Sequence, residues 1–246
     1  MKDSKKKTSD EKKRVRKRHV INDDTPFIIT EAYKMARTNL IFALSTSDKK
    51  IITFTSANPA EGKSTSTVNM AITLANTGAK VLLIDADMRK PTIHKLLKLN
   101  NPCGLSNIIS GQCSINEARN INVKENLDVI TAGPIPPNPS ELLSSNKMSL
   151  ALDLLKEKYE YICIDTPPIN VVSDALLLNN LTSGIVFIVR ENATSHVALQ
   201  SALENIKLTN GKVLGFLKVQ CNVEGKTGKS SSYSYNYEYK TEKTED

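Results

Sequence analysis

Residues 54–65 read F-T-S-A-N-P-A-E-G-K-S-T and join an apolar run to a segment with helical periodicity. Within them, A-N-P-A-E-G-K-S (57–64) follows the spacing G-x-x-x-x-G-K-[ST], except that Ala57 stands where the first glycine is usual. A loop of this type turns backbone N–H groups toward a phosphate at the positive end of the following helix. The stretch therefore predicts a nucleotide-binding α/β fold.

The residues of this loop have separate predicted tasks. Gly62 allows close approach without a Cβ, Lys63 reaches the β- and γ-phosphates, and the Ser64 hydroxyl coordinates Mg²⁺. The predicted nucleotide-binding residues are Ala60, Glu61, Gly62, Lys63, Ser64 and Thr65. If the first loop position needed a left-handed backbone, Ala57 would cost about 1 kcal/mol.

Short apolar runs alternate with helical segments along most of the chain. The predicted strands are 51–55, 81–84, 127–130, 161–164, 185–189 and 214–219. The predicted helices lie at about 30–45, 63–77, 91–99, 140–158, 172–180 and 195–209. This alternation predicts a doubly wound, mostly parallel α/β sheet of the P-loop NTPase fold, covered by helices on both faces. Such sheets bind ligands at the carboxyl ends of their strands.

Two predicted strands end in aspartate. Residues 81–91 read V-L-L-I-D-A-D-M-R-K-P, with Asp85 and Asp87, and residues 161–168 read Y-I-C-I-D-T-P-P, with Asp165. Carboxylates at strand ends can bind Mg²⁺ beside a phosphate, directly or through water, although either strand-end aspartate could instead cap the next helix. The predicted metal residues are Ser64, Asp85 and Asp165.

The spacing of Asp85 and Asp87 indicates a further role. Residues two apart on an extended strand point the same way, so one can serve the metal while the other faces an acceptor. A carboxylate within reach of a hydroxyl can take its proton during phosphoryl transfer. The predicted catalytic residues are Asp87, Lys63 and Asp85.

The net charge of +7 belongs to one end of the chain. Residues 1–20 hold ten Lys or Arg against three acidic residues, which leaves 23 of each sign in the rest of the 246 residues. We interpret 1–25 as a disordered basic leader, either a solvated segment or one weakly attracted to anionic lipid. Since aromatic residues are only 5% of the chain and no base-reading module follows, no specific nucleic-acid recognition is expected.

Several other classes of protein are disfavoured. No apolar run reaches the ~18 residues of a membrane span, and no apolar h-region follows the basic start, so a cytoplasmic location is expected. The four cysteines show no C-x-x-C spacing and are expected to be reduced thiols: Cys103, Cys113, Cys163 and Cys221. The three histidines show no metal-ligand spacing.

The last 24 residues, 223–246, are polar and carry four of the seven tyrosines. Tyr233, Tyr235, Tyr237 and Tyr239 alternate with other residues, so an edge strand with one aromatic face is one interpretation. The preferred interpretation is a flexible tail whose hydroxyls enter an active site, because 224–232 has the composition of a linker. The globular domain between leader and tail is expected at 26–222.

These motifs, in this order, resemble those of the bacterial tyrosine kinases of capsular and exopolysaccharide synthesis, over residues of about 30–240. The matching parts are the loop at 57–65, the Walker A′ strand at 81–91, the Walker B strand at 161–168, the segment G-P-I-P-P-N-P-S-E-L-L at 133–143, and the tyrosine cluster. The resemblance implies ATP and Mg²⁺ as cofactors, with Asp87 as base. It also implies autophosphorylation of the four tail tyrosines between subunits of a ring. Glycine is usual in that family where this loop has Ala60.

The resemblance implies partners as well. An E-x-x-R-x-x-R helix helps build the ring in that family, and here the pattern reads Glu31, Lys34 and Arg37. Since lysine lacks the bidentate fork of arginine, that contact is expected to be altered. In some members of that family the kinase and its transmembrane segment share one chain, and in the split form they do not. Because the chain resembles the split form, a separate membrane activator of the polysaccharide co-polymerase type is implied. A cognate tyrosine phosphatase is implied as well. The protein would then lie at the inner face of the membrane through its partner.

Two other functions compete with the kinase. A ParA/MinD-like ATPase carries a second lysine in K-G-G-x-G-K-[ST], but no lysine lies between Lys50 and Lys63. An ATP-gated assembly factor without essential kinase activity is the other. Arg190 and Asn222 are candidate adenine contacts at the ends of late strands.

Overall fold

The computed structural model describes residues 20–48 and 50–220. The predicted tail at 223–246, Asn222 and most of the predicted leader lie outside these ranges. The helices are α1 (Phe27–Ala43), α2 (Lys63–Ala75), α3 (Ile93–Leu97), α4 (Leu105–Ser110), α5 (Ile115–Ala118), α6 (Pro139–Leu143), α7 (Asn146–Lys156) and α8 (His196–Leu208). The strands are β1 (Ile51–Ser56), β2 (Val81–Asp85), β3 (Arg119–Lys124), β4 (Leu127–Ile130), β5 (Tyr161–Asp165), β6 (Gly184–Arg190) and β7 (Val213–Val219).

Seven strands form one sheet in the order β3-β4-β2-β5-β1-β6-β7. Every pairing is parallel except that of β3 with β4. The central strands β1, β2 and β5 are buried along their whole length, as their continuous apolar sequences require when helices cover both faces. The prediction of a doubly wound, mostly parallel α/β sheet is confirmed.

Helix α2 follows β1 directly after the loop at 57–62 and packs on the sheet. Gly62 precedes it with a left-handed backbone, φ +89°, which turns the chain from the strand into the helix. Eleven of the thirteen residues of α2 are buried, including polar ones such as Thr67 and Asn69. The N-terminus of a buried helix therefore lies at the carboxyl edge of the central strand.

The secondary structure differs from the prediction mainly in short elements. The antiparallel edge strand β3 and the helices α4 and α5 were not predicted. The predicted helix at 140–158 is two helices, α6 and α7, and the one at 172–180 is reduced to a 3-10 turn at Leu176–Leu178. Helix α3 covers only the middle of the predicted 91–99.

Cys103 and Cys113 form a disulfide, so the expectation of reduced thiols is wrong for this pair. The intervening helix α4 folds the chain back and brings the two Cα atoms to 6.7 Å, within the range that a disulfide can bridge. Cys163 is a buried free cysteine in β5. Cys221 lies outside the described residues.

The described ranges hold no helix long and apolar enough to cross a membrane.

Candidate active site

The loop at 57–62 and the two aspartate strand ends meet at one edge of the sheet. Strand β5 lies between β1 and β2, and its last residue, Asp165, is in register with Phe54 of β1 and with Asp85 of β2. Since all three strands are parallel, their carboxyl ends point to the same side. The structure thus brings together residues that are far apart in the sequence, such as Lys63 and Asp165, which are separated by 102 positions.

Lys63 lies at the centre of this cluster. Its Nζ donates to Asp165 Oδ1 at 2.8 Å and to the Ser64 hydroxyl at 3.2 Å, and it lies 3.5 Å from Asp87 Oδ2. Burial lowers the pKa of Lys63, but the charges of Asp165 and Asp87 outweigh that effect and leave it above its usual value. The ammonium group is therefore a fixed positive charge at the helix N-terminus.

Asp165 has a fully buried carboxylate with one uncommitted oxygen. Its Oδ1 accepts from Lys63 and, at 3.2 Å, from the Thr67 hydroxyl. Its Oδ2 is buried and has no hydrogen-bond partner of normal geometry among the described residues, although the Ser64 hydroxyl is close enough to lower the carboxyl pKa. Burial nevertheless leaves the pKa of Asp165 raised, against the opposing charge of Lys63. An orphaned anionic oxygen next to a serine hydroxyl fits a hard divalent cation.

The carboxylate of Asp85 is occupied by backbone donors. Its Oδ2 accepts from the N–H groups of Thr92 and Ile93 at 3.1 and 3.0 Å, and its Oδ1 accepts from the N–H of Asp87 at 3.2 Å. Burial raises its pKa to about 7, helped by the charge of Asp165. Asp85 thus caps the start of α3, the role that the sequence left open. Its remaining lone pairs suit a contact to a metal through water better than direct coordination.

Asp87 is held beside Lys63 and is the most exposed carboxylate of the cluster. Its Oδ1 accepts from the N–H of Lys90 at 3.0 Å, and its Oδ2 faces the Lys63 ammonium. Its side chain is 10% exposed, against 1% for Asp165. Of the carboxylates in the cluster, Asp87 is therefore the one nearest to the surface, where a hydroxyl could approach.

Two alanines stand in the phosphate loop where glycine is usual, and only one of them is strained. Ala57 is fully buried and does not have a positive φ, so the cost considered for that position does not arise. Ala60 has φ +64°, in the left-handed region. The guanidinium of Arg190, at the end of β6, donates to the Ala60 carbonyl at 2.9 Å. Arg190, a predicted adenine contact, is therefore a brace for the loop in this structure.

Comparison with known proteins identifies the family of the chain. The AAA domain family matches residues 49–214. The tyrosine-protein kinase YwqD of Bacillus subtilis (strain 168) is 40% identical over 207 residues, which are 84% of this chain and 85% of YwqD. The chain belongs to the bacterial tyrosine-protein kinases. The predicted family and enzyme class are confirmed, and so is the nucleotide-binding fold.

Two further comparisons define the form of this kinase. The tyrosine-protein kinase wzc of Salmonella typhimurium is 32% identical over 212 residues, which are 86% of this chain but 29% of wzc. The crystal structure of the chimerical protein CapA2B2 superposes with a TM-score of 0.74 at 37% identity, over 79% of this chain and 85% of that one. The kinase thus matches the split form, as predicted.

The ParA/MinD-like alternative shares only the fold. The cell division ATPase MinD of Pyrococcus furiosus superposes with a TM-score of 0.57 at 22% identity, over 68% of this chain. That likeness confirms the class of sheet and says nothing about activity. The relatives at 32–40% identity described above are tyrosine-protein kinases by name.

The glycine of the phosphate loop gives a prediction about stability. A Cβ at Gly62 would lie 3.5 Å from Val219 Cγ2, an ordinary contact, so the cost of alanine there is conformational. We expect Gly62→Ala to lower the free energy of unfolding by about 1–2 kcal/mol, as for any L-residue at φ +89°. Urea denaturation measures it. Gly78→Ala, at the same φ with open space around it, is the matched control, and a much smaller effect at Gly62 than at Gly78 would contradict the prediction.

Glu61 supports the phosphate loop of the kinase from inside. Its side chain is buried and accepts from the Asn58 backbone N–H at 3.1 Å and from the Thr194 hydroxyl at 2.8 Å. The same Thr194 oxygen accepts from the Arg190 N–H at 2.9 Å. Of the predicted nucleotide-binding residues, Glu61 therefore uses its side chain to shape the loop. Thr194 was not predicted, because 133 residues separate it from Glu61.

The Thr194 hydroxyl is expected to stabilise the loop measurably. Thr194→Val keeps the shape of the side chain but removes one donor from a buried carboxylate and one acceptor from a backbone N–H, so we expect a loss of about 1–3 kcal/mol. Thr194→Ser restores the hydroxyl and should recover most of that loss. Chemical denaturation compares the three proteins. Equal stability of the valine and serine variants would contradict the role assigned to the hydroxyl.

The predicted interface residues lie on α1. Lys34 Nζ pairs with Glu31 at 2.7 Å on a half-exposed surface. Arg37 donates to the carbonyl of Thr73 in α2 at 3.0 Å, so part of its guanidinium is committed within the chain. Along the same helix, Ile28, Met35 and Phe42 are spaced by seven residues and are 55%, 69% and 72% exposed.

Proposed function

We propose that this kinase transfers the γ-phosphoryl group of ATP to tyrosines of its own C-terminal cluster, in trans within a homo-oligomer, and that this controls capsular or exopolysaccharide synthesis. The observation that carries the proposal is the convergence of Lys63, Asp87 and Asp165 at the N-terminus of α2. A fixed ammonium group, a carboxylate near the surface of the site and a buried carboxylate with a spare oxygen are the groups that phosphoryl transfer to a hydroxyl requires.

The chain supplies the phosphate cradle by itself. The first N–H groups of α2 have no partner within the helix, and the left-handed turn at Gly62 lets the backbone approach a phosphate closely. Lys63 adds a cation that is already desolvated, so its attraction for a phosphate is only weakly screened. Lys63 would exchange its bond to Asp165 for the phosphates when ATP binds. The residues proposed for the phosphates are 60–65.

Ser64 and Asp165 are proposed to hold Mg²⁺, with Asp85 acting through water. The described ranges contain no group of three or more His, Cys, Asp or Glu side chains able to hold a metal unaided. That agrees with Mg²⁺, which takes one or two protein oxygens and completes its shell with waters and phosphates. When bound, the ion neutralises charge on the phosphates during transfer. The uncommitted Oδ2 of Asp165 and the Ser64 hydroxyl are the fitting donors.

Asp87 is proposed as the base. Once Lys63 has turned to the phosphates, Asp87 Oδ2 can accept the hydroxyl proton of a tyrosine as the phenolic oxygen approaches the γ-phosphate. The Lys63 ammonium group lies 3.5 Å from Asp87 in the resting site and would move toward the phosphates on binding. Asp85 orients this turn by accepting the Asp87 N–H, so it contributes to catalysis through geometry.

The acceptor tyrosines lie outside the described residues, but the point from which they extend is known. Strand β7 is parallel to β6, so its carboxyl end faces the phosphate-loop edge, and Val219 approaches Gly62. The thirteen residue-to-residue steps from Gln220 to Tyr233 could span at most about 45 Å when extended. Tyr233, Tyr235, Tyr237 and Tyr239 can therefore reach the same site or that of a neighbouring copy.

The exposed apolar stripe Ile28, Met35 and Phe42 on α1 supports an oligomer. A row of large apolar side chains on one helix face is unusual for a monomer and typical of an interface. With Glu31, Lys34 and Arg37 on the same helix, α1 is the proposed ring contact. The proposed further partners are a polysaccharide co-polymerase, through its cytoplasmic segment, and a cognate tyrosine phosphatase. The kinase would act in the cytoplasm at the inner face of the membrane, bound there through the co-polymerase.

The test uses two full-length copies of the chain. The enzyme copy has the four tail tyrosines changed to Phe, and the acceptor copy is Asp87→Asn with an intact tail. With Mg-ATP and the activator segment, phosphotyrosine should appear on the acceptor copy only when both are mixed. Tyr33→Phe in the acceptor is the matched control and should not alter the signal. Phosphotyrosine on the four-Phe copy would move the acceptor elsewhere. Absence of phosphotyrosine from the wild type under every condition would reject the proposed autophosphorylation.

A further inference from the structure

Arg89 joins three loops at the carboxyl edge of the sheet. It follows β2 in the turn that carries Asp87, and its guanidinium binds Asp174 as a fork, Nε to Oδ2 at 2.8 Å and Nη2 to Oδ1 at 3.1 Å. The same Nη2 donates to the Ser140 hydroxyl at 2.7 Å, and that hydroxyl donates to Asp174 Oδ1 at 2.7 Å. Arg89, Asp174 and Ser140 therefore form a closed set of contacts, here called the strap.

The sheet order explains what the strap connects. Strand β2 lies between β4 and β5, Ser140 is in the segment after β4, and Asp174 is in the segment after β5. The strap therefore ties together the segments that follow three adjacent strands. Asp174 is fully buried, while the Arg89 side chain is 39% exposed, so a buried anion anchors a cation at the surface of the site.

The strap acts on the turn that holds the proposed base. Asp87 and Arg89 are two residues apart, and the charge of Asp87 contributes to the raised pKa of Arg89, after the larger effect of the Asp174 hydrogen bond. The backbone of this turn is fixed on the other side by Asp85. On the two tied segments, Ile135 and Val171 are 64% and 57% exposed, and exposed apolar side chains suit the ring of a tyrosine.

We propose that Arg89, Asp174 and Ser140 are positioning residues for the acceptor side of the reaction: they hold the Asp87 turn and its two flanking segments in the arrangement that receives a peptide tyrosine. This rests on the proposed function. The hydrogen bonds of the strap are among its own three residues, and none of those bonds goes to Lys63, Ser64 or Asp165 in the described part of the chain. Tyrosine phosphorylation should therefore depend on the strap much more than nucleotide binding does.

The test separates kcat from the KM for the acceptor, with the four-Phe copy as enzyme and increasing concentrations of the Asp87→Asn copy as acceptor. Arg89→Lys, made in the enzyme copy, keeps the charge but loses the fork. It should lower kcat by at least about tenfold, since a misplacement of about 1 Å can cost about a hundredfold. Ser140→Ala leaves the Arg89–Asp174 pair intact, so it tests the strap without exposing a buried charge, and should lower kcat by about threefold.

Controls distinguish positioning from a general loss of structure. The dissociation constant for ADP should stay within about twofold of the wild type in both variants. Lys95→Met, which removes an exposed cation from α3, should leave both kcat and KM unchanged. Unchanged kcat in Arg89→Lys and Ser140→Ala would overturn the proposal, and so would a parallel loss of ADP affinity.

Hydrogen exchange keeps the strap testable without kinase activity. In Arg89→Lys, the backbone amides of Gly133, Ile135 and Asn138 and those of 170–175 should exchange faster together, while those of 63–75 do not change. If the wild type makes no phosphotyrosine, the proposed function fails, and this experiment alone decides whether the strap exists. Faster exchange in both segments supports it, and unchanged exchange in either one overturns it.

Discussion

Lys63→Met is expected to abolish tight nucleotide binding and also to lower the free energy of unfolding by about 3 kcal/mol. The second effect follows from the structure, because the Lys63 ammonium group pairs with Asp165 at 2.8 Å while their side chains are 7% and 1% exposed. Removing one partner of a buried pair leaves the other charge without compensation. Protonation of Asp165 relieves part of this cost, because burial already raises the pKa of its carboxyl group. Urea denaturation without nucleotide measures the stability, and ADP titration measures the binding.

A double-mutant cycle isolates the pair. Asp165→Asn alone leaves Lys63 with Asp87 and Ser64 as partners, so its cost should be smaller than that of Lys63→Met. The double variant, Lys63→Met with Asp165→Asn, contains neither charge of this pair. Much of the stability lost in Lys63→Met should therefore return. Strictly additive effects of the two substitutions would show that the ion pair does not contribute to folding, contrary to the geometry.

The sequence was sufficient for the central sheet because its strands are buried on both faces. Strands such as β2 and β5 are continuous apolar runs, and their position in the sheet follows from the alternation with helices. The missed elements are short and depend on contacts made elsewhere. Helix α5 has only four residues, and its readable signal is the capping box between Ser114 and Glu117. Strand β3 is half-exposed and pairs antiparallel with β4 at the edge of the sheet, so no crossover helix marks its position in the sequence.

The acidic cluster was predictable because each of its parts carries a local pattern. Lys63 follows from the loop spacing, and Asp85, Asp87 and Asp165 follow from strand ends that a parallel sheet must bring to one edge. Those patterns could not assign separate roles to the three aspartates. Only the structure shows that Asp85 accepts three backbone N–H groups and that Asp165 keeps an uncommitted oxygen.

The residues that support the site from other segments could not be predicted from the sequence, for a related reason. Asp174 and Thr194 stand in segments without a phosphate-binding or metal-binding pattern, 85 and 133 residues from Arg89 and Glu61. Their roles depend on which segments the fold places side by side. A similar limit applied to Cys103 and Cys113, whose spacing matches no redox or metal motif and whose pairing depends on the turn made by α4.

Asp87→Asn is expected to lower the rate of tyrosine phosphorylation by about 10²- to 10⁴-fold, the contribution of a general base. The amide keeps the size of the carboxylate, and its oxygen can still accept the Lys90 N–H, so the turn should keep its shape. It cannot take a proton from a tyrosine hydroxyl. ADP affinity should therefore change by less than about threefold. Single-turnover transfer to the four-tyrosine tail of a second copy, with saturating Mg-ATP, measures the rate.

The comparison with Asp85→Asn distinguishes a base from a structural acid in the same turn. Asp85 receives three backbone hydrogen bonds, so its amide variant should lose stability as well as activity, whereas Asp87→Asn should unfold at nearly the wild-type urea concentration. Asp24→Asn, an exposed carboxylate before α1, controls for the loss of one negative charge. Phosphotyrosine formation at the wild-type rate in a folded Asp87→Asn protein would exclude Asp87 as the base and leave proton removal to solvent or to the phosphate itself.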